Sequence, residues 1–180
     1  MSYCKMAPGH PYHGPYHDQV YGFPVSDDNL LFERLVLEIN QAGLSWLTIL
    51  KKQENFRAAF DLFDITTVAG YREEDKERLL GETGIIRNRL KIDAAIGNAR
   101  TILSIQHDFG SFSNWLNQHH PLDKTAWVKL FKQTFRFTGG EITGEFLMST
   151  GYLPGAHTRD CPVYDKIASL NPPWMQTNTG

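Results

Sequence analysis

Hydrophobic residues recur at three- and four-residue intervals over most of the chain, which is the pattern of amphipathic helices. The first stripe follows a capping residue at Ser26 or Asp27, and Gly43 is predicted to end that helix. Ser45 is predicted to cap a second helix that runs to Phe60. Further helices are predicted after Asp64, from Glu73 to Leu80, from Ile92 to Leu103, around Trp115, from Trp127 to Thr134 and from Glu141 to Ser149. No segment alternates apolar and polar residues for long enough to form a strand, so the predicted fold class is all-α.

The first 25 residues depart from this pattern and are predicted to be irregular, because Pro, Gly and His interrupt them repeatedly. Such a segment cannot supply the apolar core of a signal peptide, and no stretch approaches the ~20 apolar residues of a membrane span. We therefore expect a cytoplasmic protein with no membrane partner. The 180 residues, of which 41% are hydrophobic and 12% aromatic, suit a single helical domain over residues 1–180.

The two cysteines lie at opposite ends of the chain, each with a histidine nearby: Cys4 with His17, and His157 with Cys161. A disulfide is not expected in a reducing compartment, whereas two thiolates and two imidazoles suit a closed, structural zinc site. The alternative is that Cys4 is a terminal residue without a role and that Cys161 is a small buried hydrophobe. A closed site would leave no open position for a zinc-activated water, which argues against a zinc hydrolase.

Glu38 is an unusual carboxylate, because it shares a helical stripe with Leu31 and Leu35 and also lies in the predicted last turn. The helix dipole disfavours an anion at that end. Either Glu38 reaches solvent at the edge of the stripe, or it is a pocket carboxylate for a cationic ligand. Tyr16 and Trp46 lie outside the regular helical faces, and together with Glu38 they would suit a flat, cationic, nitrogen-bearing ligand.

The turn GETGIIRNRLK between two predicted helices carries Arg87, Arg89 and Lys91 after Gly84. Glycines and backbone N–H groups ahead of a helix can bind an anion, and a DNA phosphate fits that chemistry. The alternative is an ordinary helical hairpin with a solvated basic turn. The whole chain has 18 Lys+Arg against 20 Asp+Glu, so any nucleic-acid surface must be a local patch.

Three stretches together resemble the DNA-3-methyladenine glycosylase I family: YHDQVYGFP at 16–24, LEINQAGLSWLTILKKQENFRAAF at 37–60 and GIIRNRLKIDAAIGNAR at 84–100. The glutamate followed by QAGLSW, with paired Cys and His ligands at both ends of the chain, is specific to that family. The chain departs from the family's usual form at Met6, where Trp is common, and at Val20 and Tyr21, where Glu-Trp is common.

The resemblance implies a helix-hairpin-helix DNA glycosylase, monomeric and monofunctional, that flips and hydrolytically releases 3-methyladenine from double-stranded alkylated DNA. It implies one structural Zn²⁺ held by Cys4, His17, His157 and Cys161. It implies a base pocket with Glu38 as the catalytic carboxylate and with Tyr16, Trp46 and Tyr21 binding the base. It implies DNA contacts from Leu44, which wedges into the duplex, and from Gly84, Arg87, Arg89 and Lys91. The competing hypothesis is a zinc-stapled protein that binds damaged DNA with weak or no glycosylase activity.

Overall fold

The computed structural model describes residues 1–176, and this part of the chain contains helices and no strand. The helices are α1 Tyr3–Met6, α2 His13–Gln19, α3 Asp28–Gln41, α4 Trp46–Ala59, α5 Ile65–Ala69, α6 Glu73–Gly81, α7 Arg89–Phe109, α8 Phe112–His119, α9 Lys124–Thr134, α10 Gly140–Ser149 and α11 Pro162–Ser169. Short 3₁₀ turns follow α4 and α11, at Asp61–Phe63 and Pro173–Met175. The all-α prediction is confirmed for the described residues.

The predicted capping residues begin the helices that the hydrophobic pattern indicated. Asp27 accepts a hydrogen bond from the Leu30 amide at the start of α3, at 2.9 Å. Ser45 caps α4 and Asp64 caps α5 through their side-chain oxygens. Each cap satisfies a backbone N–H that has no partner within its helix, which contributes ~1 kcal/mol. Local sequence therefore decides where these helices start.

The prediction of an irregular N-terminus was wrong, because two short helices, α1 and α2, occupy much of it. Pro15 lies in the first turn of α2, where the missing N–H would have had no helical partner. A further helix that the pattern did not reveal, α11, starts at Pro162 directly after Cys161 for the same reason. Proline in these segments marks the first turn of a helix rather than a break.

The core surrounds α3, whose Leu31, Leu35 and Val36 are fully buried. Helices α4, α7, α8 and α10 all contact α3, so α3 is packed from several sides. A separate small cluster joins the two ends of the chain, with Val163 and Ile167 of α11 packed near Cys4 and Phe23. No helix within residues 1–176 is both long enough and apolar enough to span a lipid bilayer.

Candidate functional site

A cavity of about 340 Å³ opens beside the C-terminal end of α3 and brings the four sequence-predicted pocket residues together. Its walls come from α1, α2, α3, α4 and α10, which are far apart in sequence. The lining residues are Tyr3, Tyr16, Tyr21, Glu38, Gln41, Trp46, Glu141 and Glu145. Aromatic rings and carboxylates therefore dominate the surface that a ligand would meet.

Glu38 is the most buried charged group in this cavity, with 5% of its surface exposed. The interpretation that it reaches solvent at the edge of the stripe is therefore wrong, because α10 and the N-terminal segment cover that edge. Burial, and to a smaller extent the charge of Glu145, raises the pKa of Glu38 to about 8, while Arg34 opposes the shift. No side chain among residues 1–176 donates a hydrogen bond to it. A buried carboxylate without a donor is prepared for a ligand that brings one.

Aromatic rings form the rest of the pocket wall around Tyr16. The Tyr16 ring stacks on Tyr21 with centroids 5.5 Å apart, and it lies 5.2 Å from Trp46 at a tilted angle. Arg34 lies over the Tyr16 ring, with its guanidinium carbon 5.8 Å from the ring centroid. The indole nitrogen of Trp46 is buried and has no partner within the described residues. The ring surfaces that line the cavity are available to a planar heterocycle.

Sequence reasoning missed two further carboxylates, Glu141 and Glu145, which α10 places on the pocket wall. Their four-residue spacing puts them on one helical face, which the sequence does show. It does not show that this face meets α3. The Tyr21 hydroxyl donates to Glu145 at 3.4 Å, and burial raises the pKa of Glu145. The pocket therefore holds more negative charge than Glu38 alone provides.

Beside the pocket, the structure brings Cys4, His17, His157 and Cys161 together, with one ligand atom of each within 4.8 Å of all the others. Cys161 Sγ lies 3.5 Å from both His17 Nε2 and His157 Nδ1, and Cys4 Sγ lies 3.5 Å from His157 Nδ1. Zinc–ligand bonds of ~2.3 Å to sulfur and ~2.0–2.1 Å to nitrogen, at tetrahedral angles, place these atoms about 3.6 Å apart. The four residues can therefore hold a metal ion.

The outer nitrogens of the two histidines have partners that fix the ring orientations. His17 Nδ1 lies 2.7 Å from Asp18, and His157 Nε2 donates to the carbonyl of Tyr21 at 2.7 Å. Metal-ligating histidines generally donate their second N–H in this way. Gly22 has φ +87° and lies so close to the 156–157 segment that a Cβ there would be 2.8 Å from Ala156. The cluster thus fixes the segment that carries Tyr21 into the pocket.

The hairpin between α6 and α7 differs from its sequence prediction, since few of its charged groups are free. Arg87 and Arg89 are exposed, but Arg89 is ion-paired with Glu73 at 3.2 Å and with Glu77 at 2.8 Å. The Gly84 amide donates to the Glu82 carboxylate at 2.9 Å. The turn nevertheless projects the two arginines to solvent at the start of α7.

Lys91 does not join this exposed patch. It is 5% exposed, and its Nζ donates to the backbone carbonyls of Asn40 and Ala42 at the end of α3. A lysine whose ammonium group faces the core can donate hydrogen bonds to those carbonyls but cannot contact a DNA phosphate at the surface. Leu44 lies in the turn just beyond them and is 38% exposed, between the pocket-lining residues Gln41 and Trp46.

Comparison with known proteins agrees with the resemblance seen in the sequence. A family model described as methyladenine glycosylase matches residues 6–129. DNA-3-methyladenine glycosylase 1 of Escherichia coli (strain K12) is 38% identical over an alignment of 183 positions that covers 91% of this chain and 97% of that protein.

Two solved structures share the fold. One describes 3-methyladenine recognition by 3-methyladenine DNA glycosylase I of Staphylococcus aureus, with a TM-score of 0.80, 35% identity and coverage of 91% of this chain and 96% of that one. The other is a Tyr→Phe variant of 3-methyladenine DNA glycosylase I in complex with 3-methyladenine, with a TM-score of 0.80, 34% identity and coverage of 91% and 97%. The chain belongs to the methyladenine glycosylase family.

Proposed function

We propose that this protein is a DNA-3-methyladenine glycosylase that flips the base out of alkylated double-stranded DNA and hydrolyses its glycosidic bond. The observation that carries the proposal is Glu38, a buried carboxylate without a donor in an aromatic pocket of the size of a nucleobase site. Family membership and the activities named for the relatives support the same substrate. A protein that only recognised damage would not need to keep such a carboxylate desolvated.

The chemistry of the lesion explains why these groups suffice. 3-Methyladenine in DNA is a cation, so when the bond from its N9 to C1′ breaks, the bonding electrons neutralise the departing base. Water adds its oxygen to C1′ and releases a proton, and the base itself needs no general acid. The rings of Tyr16, Tyr21 and Trp46 attract the cation, and Glu38 accepts hydrogen bonds from it. The cost of unstacking is lowest for a damaged base, which adds to the selectivity.

We propose in addition that one zinc ion occupies the Cys2His2 cluster as a structural metal. The sulfur-to-nitrogen distances of 3.5 Å match a tetrahedral site, and four protein ligands leave no position for an activated water. The ion would hold the two ends of the chain together. Through the hydrogen bond from His157 to the Tyr21 carbonyl, it would also hold one wall of the pocket.

On the DNA side, we propose that Leu44 fills the space left by the flipped nucleotide, while Gly84, Arg87 and Arg89 contact the phosphate backbone. Leu44 is an exposed leucine at a tight turn, and residues on both sides of it line the pocket. We propose a single domain over residues 1–180 that acts as a monomer, because residues of this one chain supply every wall of the pocket within the described part. Lys91 is excluded from the phosphate contacts because its ammonium group is buried.

The decisive experiment is to incubate the protein with methylated duplex DNA and to identify the released bases by chromatography. We expect 3-methyladenine to be released, with Glu38→Gln as the matched control that keeps the pocket shape and removes the charge. Binding of the alkylated duplex without any base release by the wild-type protein would favour the damage-binding alternative.

A further inference from the structure

Lys91 is the one lysine of the α6–α7 hairpin that is buried, and its surroundings contain no carboxylate partner among residues 1–176. Its Nζ donates to the Asn40 carbonyl at 2.8 Å and to the Ala42 carbonyl at 2.7 Å. Burial lowers its pKa. An ammonium group in such a place is costly unless it satisfies groups that would otherwise lack partners. The carbonyls at the end of α3 are such groups, because a helix leaves its last carbonyls without intrahelical donors.

The two carbonyls that Lys91 contacts belong to the segment that leads into the Leu44 turn. Ala42 ends α3, and Gly43 follows with φ +80°, a conformation that favours glycine. The side chain of Gln41 then donates to the Leu44 carbonyl at 2.8 Å. Ser45 caps the next helix. Among the hydrogen bonds of residues 1–176, the one that joins residues 42–44 to a distant segment of the chain comes from Lys91 Nζ.

Lys91 also belongs to the hairpin, because it lies in the first turn of α7. Its own amide donates to the capping side chain of Asn88 at 3.1 Å, one residue after Arg87. The Lys91 side chain thus links the first turn of α7, which follows the exposed Arg87, to the turn that carries Leu44.

We propose that Lys91 is a positioning residue, which fixes the Ala42–Leu44 turn against the hairpin so that Leu44 enters the duplex in register with the phosphate contacts. The inference rests on the proposed function, since it takes Leu44 as the residue that replaces the flipped base. Lys91 touches neither base nor phosphate in this scheme. Its effect on excision is transmitted through Leu44.

The primary test compares Lys91→Met with Lys76→Met. Lys76 is a matched control, because it is a hairpin lysine that pairs with Asp93 at 2.9 Å and its loss removes the same charge. Lys91→Met is expected to lower kcat/KM on methylated duplex DNA by ~10–100-fold, since a displacement of ~1 Å at a positioned group can cost that much. On methylated single-stranded DNA, where no duplex must be opened, we expect a loss of less than about threefold.

Four further measurements separate positioning from other roles. In the Leu44→Ala background, Lys91→Met should cost less than about threefold, because the residue through which it acts is absent. The slope of log affinity against log salt should stay unchanged, whereas loss of a phosphate contact would reduce it by about one. Affinity for the free 3-methyladenine base, followed by the intrinsic tryptophan fluorescence of the protein, should stay within about twofold. Lys91→Arg, which keeps the charge and the donors, should restore part of the duplex activity.

The possible outcomes are distinct. Equal losses on duplex and single-stranded DNA, full additivity with Leu44→Ala, or a reduced salt slope would each overturn the positioning role. If Lys91→Met does not fold, Lys91→Arg is combined with Leu44→Ala in its place. Additive losses for that pair would likewise overturn the positioning role. Absence of base release by the wild-type protein would instead overturn the proposed function itself.

Discussion

The pocket and the hairpin both place charged side chains near helix ends, but they leave those charges in opposite states. In the pocket, Glu38 is buried and no described residue donates to it. In the hairpin, Arg89 has two carboxylate partners and the Gly84 amide donates to Glu82. The pocket therefore holds a carboxylate without a hydrogen-bond donor among the described residues, whereas Arg89 and Glu82 in the hairpin already have partners.

This difference indicates how the two regions would contribute to recognition. A desolvated carboxylate in low dielectric gains much from a cationic base and little from a neutral one, so the pocket supplies selectivity. Phosphates at the hairpin must displace exposed ion pairs that are worth ~0–1 kcal/mol each, so that surface supplies modest, salt-dependent affinity. Variants in the pocket should therefore change the rate of base excision by a large factor. Variants in the hairpin should change DNA affinity and its salt dependence by a small factor.

The largest effect is expected from loss of the metal cluster, which borders the pocket but not the hairpin. Cys161→Ser should release the proposed zinc ion and free the segment that His157 holds at Tyr21. We expect base excision to fall by ~100-fold or more, since the pocket wall shifts relative to Glu38. Elemental analysis and excision assays test this, with the salt dependence of DNA binding as the internal control. An intact excision rate in metal-free protein would show that the pocket does not depend on the cluster.

Next in size is Glu38→Gln, which removes the charge of the pocket and keeps its shape. Charge-assisted hydrogen bonds contribute roughly 1.5–3 kcal/mol, so excision of 3-methyladenine should slow by about one to two orders of magnitude. Because the pKa of Glu38 is raised to about 8, kcat/KM of the wild type should increase with pH and level off above pH 8. Burial causes most of this shift in pKa, and the charges of Glu145 and Arg34 modify it, while Tyr16 and Tyr21 are further ionisable neighbours of the carboxylate. A pH profile of the Gln variant with the same rise would assign the titration to another group.

The same substitution should alter stability in the opposite sense. A carboxyl group whose pKa is higher in the folded state stabilises the fold below its unfolded pKa, and this contribution is lost as pH rises toward 8. Relative to the wild type, Glu38→Gln should therefore gain stability between about pH 4.5 and pH 8, on the order of 1.4 kcal/mol per pH unit at most. Thermal melts at pH 5 and pH 8 measure it. A gain that does not depend on pH would assign the effect to packing.

The sequence predicted the helices and singled out Glu38 because both depend on local pattern. Periodicity and caps located α3 through α10, and the position of Glu38 on an apolar stripe at a helix end marked it as unusual. Local pattern could not reveal contacts between segments that are distant in the sequence. Lys91 meets Asn40 across 51 positions, and the α10 carboxylates meet the pocket through packing alone. The prediction of a basic turn with Arg87, Arg89 and Lys91 also did not account for the acids of α6 that pair with Arg89.

A smaller effect is expected from the hairpin arginines, and it distinguishes a free charge from a paired one. Arg87→Ala should weaken binding to any duplex by a few-fold and reduce the salt slope by about one, because a phosphate contact is lost. Arg89→Ala should have less effect, because its ion pairs with Glu73 and Glu77 must first be broken to bind DNA. Fluorescence anisotropy over a salt series measures both. Equal slopes for the two variants would mean that the ion pairs do not compete with phosphate.

The smallest effect concerns Glu82, whose carboxylate already accepts the Gly84 amide that a DNA phosphate would use. Glu82→Ala should raise duplex affinity by about two- to threefold, since an exposed interaction of ~1 kcal/mol or less is removed and the amide is freed. Glu82→Gln is the matched control, because it removes the charge and keeps an acceptor for the same amide. If both variants gain equally, repulsion between Glu82 and phosphate explains the gain, and if only Ala gains, occupation of the amide explains it. Lower affinity for Glu82→Ala would show that Glu82 instead holds the turn in the shape that binds DNA.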